Sequence, residues 1–282
     1  MNWFFLTIIS AVAYAAAEII GKYVSDKKSE PVFIGIIAAM FTAFMTFQFA
    51  STEGALKVPS NVWALAGLVA SAACVAIGIV TYYEGLKNSD VSEFGLLSRS
   101  RALLVVIGGI LIFHERFNFL QIIGAVLVLY GVFLLSWEGG KFHFGRGAKF
   151  AIATAVLFSI GFLFDKAVIS FYTAMTYTFL NYFLVVAFML PLAFSRYVEG
   201  SRLPKKSTIG LLFIVGTLYG VAAYCIYAAF LATGPVSLIS LISQLEIPIT
   251  VLWGIFMLKE EKRMLPKFAS MALLILGIIL LK

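Results

Sequence analysis

The sequence predicts an all-α integral membrane protein in which ten transmembrane helices form two inverted five-helix repeats. Three observations carry this expectation. Of the 282 residues, 62% are hydrophobic and 12% charged, about half the charged fraction of a soluble chain, and the mean hydropathy is +1.01. A water-solvated fold could not hide that much apolar surface, so the solvent is lipid. Apolar windows of about 20 residues, long enough to cross the hydrocarbon, recur along the whole chain. The chain also repeats itself at an interval of 145 residues.

The first window runs near 2–23. Its Ala15-Ala16-Ala17 imitates a signal-peptide cleavage site, but no basic segment precedes the apolar stretch, so it reads as a retained first helix. SDKKSE separates it from the second window, 31–50, and STEGALKVPSN leads to the third, 61–85. LKNSD precedes 91–113, and HERFN precedes 118–137. After EGGKFHFGRG come 147–169 and 173–194, joined by ISFYT, the least marked of the breaks. RYVEGSRLPKKS, ATGP and KEEKRMLPK then set off 207–231, 235–258 and 264–281. The chain therefore divides into a first repeat at 1–137, a linker at 138–146 and a second repeat at 147–282, each repeat with five spans.

Sliding residues 91–116 by 145 places VSEFGLLSRSRALLVVIGGILIFHER over VSLISLISQLEIPITVLWGIFMLKEE. Val91, Ser92, Ser98, Val106, Gly109 and Glu115 then meet Val236, Ser237, Ser243, Val251, Gly254 and Glu260. GKYV at 21–24 lies over DKAV at 165–168, and Gly124 and Gly131 match Ser270 and Gly277. An odd number of spans per copy turns the second copy upside down, an arrangement many secondary transporters use to build a site near the bilayer midplane.

These residues resemble the EamA domain of the drug/metabolite transporter superfamily. Glu246-x-Pro248, the loop-edge acid Glu260, the weaker first copy ending in His114-Glu115-Arg116, and the small-residue pair in the last span of each half carry the likeness. The resemblance covers the chain as two tandem copies and implies a DMT-like fold and a transport role. The first copy departs from the pattern, with Arg101 opposite Glu246 and Leu103 opposite Pro248.

Leaving out Arg99 and Arg101, central within a span, 19 Lys and Arg remain, of which the loops after odd-numbered spans and their edges hold 15 and the opposite side four, Lys57, Arg116, Lys166 and Lys282. The positive-inside rule puts the richer side in the cytoplasm and both termini outside. The resemblance implies the opposite, both termini inside. The net charge of +7 sits in short loops beside apolar windows, which suits a membrane surface and not nucleic acid.

Ionisable groups inside spans are candidates for function because each costs roughly 2.5–3.5 kcal/mol at a helix centre on insertion scales. Arg101 and Glu246 are central in spans four and nine and equivalent in the repeat. They can form a buried ion pair that fixes the halves, or line a substrate cavity. Ser240, Ser243 and Glu246 share one face, as do Gly95, Ser98 and Arg101. Arg99, opposite Gln244 in the repeat, lies roughly 200° around an ideal helix from Arg101, which points the two apart. Glu18 either pairs locally with Lys22 or takes up protons. Asn181 reads as interhelical glue or a ligand contact, and Tyr224 as cavity lining. Asp165 and Lys166 read as a pair at the membrane interface, and Tyr82, Tyr83 and Tyr227 as belt tyrosines. The substrate-binding candidates are thus Glu18, Arg99, Arg101, Asn181, Tyr224, Gln244 and Glu246.

No GxxxxGK[ST], HExxH or GxSxG motif is present, and His114 and His143 fall in different loops, so no cofactor, no metal and no enzymatic activity are expected. Cys74 and Cys225 lie in apolar windows and imply no disulfide framework. The leading expectation is a monomeric or dimeric permease of the plasma membrane that exports a small polar or amphipathic metabolite, such as an amino acid, by alternating access. An Arg–Glu pair suits a zwitterion, and protons are the candidate coupling ion. The alternatives are a proton-coupled exporter of lipophilic cations and drugs, a membrane-integral enzyme on a lipid-linked substrate starting from Glu84, Asp90 and Glu93, and a non-transporting scaffold.

Overall fold

In hydrocarbon every backbone N–H and C=O must find its partner inside the chain, which leaves helices as the only spanning form for such sequences short of a closed barrel. The structure, a computed structural model, describes residues 2–24, 30–52, 58–88, 94, 97–136, 146–258 and 264–282, and among these no residue is in a strand. In chain order the helices are α1 (Trp3–Val24), α2 (Pro31–Thr52), α3 (Val62–Asn88), α4 (Arg101–Phe113) and α5 (Phe119–Ser136), then α6 (Arg146–Val168), α7 (Ala174–Val198), α8 (Ile209–Leu231), α9 (Val236–Ser243), α10 (Glu246–Leu258) and α11 (Met264–Leu280). Among the described residues seven stretches are long and apolar enough to cross a membrane: those in α1, α2, α3, α6, α7 and α8, and Val236–Trp253, which runs through α9 into α10. Helices α5 and α11 are apolar but shorter.

Two of the expected windows are not continuous helices. The ninth is cut at Gln244–Leu245 into α9 and α10, and in the fourth a turn at Ser100 precedes α4. Residues 91–93, 95 and 96 lie outside the described residues, as do 137–145 of the linker region, while Arg146 already belongs to α6. The soft boundary between the sixth and seventh windows is a short 3-10 turn, Ile169–Phe171, after which Thr173 caps α7 by accepting from the Thr176 N–H at 3.2 Å.

The most extensive helix contacts are α3 on α6, α1 on α8, α5 on α11 and α2 on α7. Helix α8 also packs on α2, α7 on α3, α4 on α6 and α9, and α1 on α9 and α10. Small residues set the spacing. At Gly124 and Gly277 the backbones of α5 and α11 touch, so a side chain at either would run into the other's carbonyl, and Ser270 Oγ donates to the Gly131 carbonyl at 2.6 Å. Hydroxyls tie neighbouring helices: Ser10 to the Ala222 carbonyl at 2.8 Å, Thr42 to the Gly216 carbonyl at 2.7 Å, and Tyr172 to the Ala64 carbonyl at 3.0 Å. Large apolar side chains such as Trp63, Phe119, Phe256 and Leu265 are exposed outward, as a lipid-facing surface requires.

Candidate functional site

Proline has no N–H, so Pro248 cannot donate to the carbonyl one turn earlier, that of Gln244. The chain responds by tightening. Ile247 N–H donates to that carbonyl at 3.0 Å, and Gln244 and Leu245 donate to Leu241 and Ile242 at 3.1 and 3.0 Å. Glu246 therefore opens α10, where a carboxylate is favoured by the helix dipole. In the first half the hydroxyl of Ser100 donates to the Leu97 carbonyl at 2.6 Å, and the Ser100 N–H to the same oxygen at 3.3 Å. Arg101 thus opens α4, an unfavourable place for a cation.

The two helix starts meet. Arg101 Nη2 lies 3.5 Å from Glu246 Oε1, with side-chain exposures of 29% and 11%, the arginine being the less buried of the two. Tyr14 of α1 also lies within electrostatic range of Arg101. Glu18, one turn further along α1, stands within electrostatic range of Glu246, Arg99 and Arg101, and Arg99 acts on Glu246 as well. Arg99 and Arg101, on either side of the turn at Ser100, are both within electrostatic range of Glu18 and Glu246. Tyr219 of α8 packs on Tyr14 with ring centroids 5.2 Å apart. Gln244 is buried beside the break; its Nε2 donates to the Ser240 carbonyl at 3.4 Å, while its Oε1 has no partner among the described residues. The Lys22 side chain, and with it the Glu18–Lys22 pair, lies outside the described residues.

Asn181 and Tyr224 are elsewhere. Tyr224 packs against the apolar cluster that contains Leu6, Val105 and Ile239. Asn181 Nδ2 donates to Ser71 Oγ at 3.2 Å, within a second polar cluster that sequence reasoning missed. At its centre Asp165 accepts from Ser71, from Tyr177 at 2.7 Å and from Tyr227 at 3.4 Å. The interfacial Asp165–Lys166 pair does not form, because successive helix positions diverge by about 100°. Lys166 Nζ instead donates to the carbonyls of Phe230 and Gly234 at 3.3 and 2.9 Å. Tyr227 is buried in this cluster and is not a belt residue. The signal in the sequence was Tyr177 and Asn181, one turn apart on an apolar helix.

Two loop-edge acids also have partners. Glu115 caps α9, accepting from the backbone N–H of Val236 at 2.5 Å and of Ser237 at 3.0 Å. Glu84 pairs with Arg196 at 3.3 Å, while Asp90 and Glu93 lie outside the described residues.

Long apolar helices around buried charged side chains define a multi-pass membrane protein with an internal polar site. The sequence pattern of the EamA-like transporter family matches residues 1–137 and again 145–282, and the chain belongs to that family. No curated protein gives a significant match. A solved structure titled "Crystal structure of protein" superposes with a TM-score of 0.80 over 99% of this chain and 95% of its own length, at 16% identity. That likeness shows the fold alone.

Proposed function

We propose that the protein is a secondary-active or exchange carrier that moves a small zwitterionic or amphipathic metabolite, an amino acid or a related compound, out of the cell across the plasma membrane by alternating access. The observation that carries this reading is the Arg101–Glu246 pair at the starts of two interrupted helices. Discontinuous helices whose ends meet inside the bilayer are a recurring way to build a transporter site. A substrate carboxylate takes the place of Glu246 against Arg101, and a substrate ammonium group is received by Glu246 and Glu18.

The two halves act as inverted repeats in this proposal. Exchanging α1 with α6, α2 with α7, α3 with α8, α4 with α9–α10 and α5 with α11 turns the α1–α8 contact into α6–α3, and α2–α8 into α7–α3. The α2–α7 and α5–α11 contacts map onto themselves. Such exchange supports a pseudo-two-fold relation and a rocking motion between the halves.

A lipophilic-cation exporter is the second reading, favoured by two carboxylates near Tyr14 and Tyr219. Arg99 and Arg101 balance those carboxylates, which fits a zwitterion better than a cation. Of the three acids from which an enzymatic reading starts, Glu84 pairs with Arg196, and Asp90 and Glu93 lie outside the described residues. Proteoliposomes loaded with labelled amino acids test the proposal. Saturable flux that Arg101→Ala and Glu246→Gln abolish is the expected result. Absence of flux with every amino acid tried, together with unchanged ligand-induced thermal shifts in both variants, would overturn it.

A further inference from the structure

Asp165 takes no part in the charge arrangement around Arg101. Its residue is only 5% exposed, yet helices from both halves aim polar groups at it: Ser71 from α3, Tyr177 from α7 and Tyr227 from α8. Ser71 is itself held by the amide of Asn181. Cys74 of α3 and Tyr182 of α7 lie within electrostatic range of the carboxyl group. Tyr172 packs edge-on against Tyr177, with centroids 5.1 Å apart. The nearest cation, Lys166, is turned to the Phe230 and Gly234 carbonyls, its other charged neighbour being Glu115. Among the described residues no lysine, arginine or histidine pairs with Asp165.

A carboxylate without a counter-charge is costly in a low-dielectric interior even when hydroxyls donate to it. Something must neutralise it, and the surroundings say what. Its neighbours offer hydroxyl donors, which solvate one carboxyl group and do not cage a metal ion. The Ser71 hydroxyl can also reverse, donating to the carboxylate or accepting from the neutral acid. That is the local equipment for loading and unloading one proton. Asp165 lies one turn from the end of α6, and the adjacent Lys166 reaches Gly234, toward the membrane face that carries Glu115 and Arg116.

We propose that Asp165 is a proton-binding site, separate from the Arg101–Glu246 site, and that its loading is coupled to substrate there. The coupling rests on the transport reading above; the proton site does not. On release the O–H bond breaks, its electron pair stays on the carboxylate, and Ser71, Tyr177 and Tyr227 hold the charge. Tyr182 is placed to relay the change, since it lies within electrostatic range of both Asp165 and Tyr14, and Tyr14 in turn lies within range of Arg101.

Infrared difference spectra of the reconstituted protein, titrated with acid and base, test the site without any substrate. A carboxyl C=O band that titrates in wild type, Glu18→Gln and Glu246→Gln protein should be lost in Asp165→Asn. Tyr177→Phe, which removes one donor at nearly constant volume, should move that band to higher frequency; it keeps the test open if Asp165→Asn fails to fold. A band that survives Asp165→Asn, or is unmoved by Tyr177→Phe, overturns the proton site. In flux assays Asp165→Asn should lose accumulation driven by a pH gradient and keep substrate-for-substrate exchange. If wild type shows no flux while the band behaves as stated, the transport reading fails and the proton site stands. If flux and its pH-gradient drive survive Asp165→Asn, the coupling fails.

Discussion

Arg101 stands at the positive end of a helix, inside an apolar bundle, with its side chain partly exposed. Its place at the start of α4 alone costs about 0.3–1 kcal/mol against the helix dipole. Glu246, Glu18 and the Tyr14 hydroxyl offset that cost together. Removing one partner of such a group leaves the other uncompensated. Arg101→Met alone should therefore lower stability by about 1–3 kcal/mol, less than the loss for a fully buried pair because part of the arginine is exposed. The double variant Arg101→Met/Glu246→Leu should recover much of the loss, and thermal unfolding of the two in detergent checks this. Charges within apolar windows are conspicuous, so Arg101, Glu246, Glu18 and Arg99 were legible in the sequence. Asp165 was not, because its neighbour Lys166 offered a local partner. Two of the hydroxyls that receive it lie 94 and 62 residues away in sequence and the third 12, distances no one-dimensional pattern measures.

At the scale of elements, the interruption of span nine was signalled by Pro248 and that of span four was not. No proline marks Ser100; its hydroxyl takes the Leu97 carbonyl, an ability every serine has and few use to end a helix. Pro248→Ala restores an N–H that can reach the Gln244 carbonyl and fuse α9 to α10. The expected outcome is a protein more stable by about 1 kcal/mol, well short of the full cost of a mid-helix proline, since the native turn already satisfies that carbonyl. Transport should fall with it, because Glu246 would no longer stand at a helix start; melting curves and flux read side by side decide this. Glu115 holds the other end of α9. Glu115→Ala removes two charge-assisted bonds to backbone N–H groups and should cost about 1–2 kcal/mol, with Glu115→Gln costing less. Gly109 is bound to the same contact: a methyl group there would meet Ser237 Oγ and, at 2.7 Å, Glu115 Oε2.

Across the whole molecule the contacts between chain ends and loops sort into two faces. On one, Trp3 packs beside Gly234, Glu115 caps Val236, Lys166 reaches Gly234, and Tyr172 bonds the Ala64 carbonyl. On the other, Glu30 N–H donates to the Arg202 carbonyl, and Arg196 pairs with Glu84. That sorting is what a chain makes when successive windows run from one face to the other. The face with Arg196, Arg202 and Lys206 is also the one rich in basic residues, 15 against four when the loops are counted in the sequence. The translocation of short loops is governed by such Lys and Arg, so this face is expected in the cytoplasm, contrary to what family resemblance alone implies. Single cysteines at Lys206 and Arg116, both exposed, decide the matter in a background lacking Cys74 and Cys225. A membrane-impermeant thiol reagent applied to intact cells should label Arg116→Cys and leave Lys206→Cys untouched until the membrane is permeabilised. The reverse pattern would place Asp165 near the cytoplasmic face, so that its protons would enter from inside, and an outward metabolite flux could no longer be driven by protons entering through it.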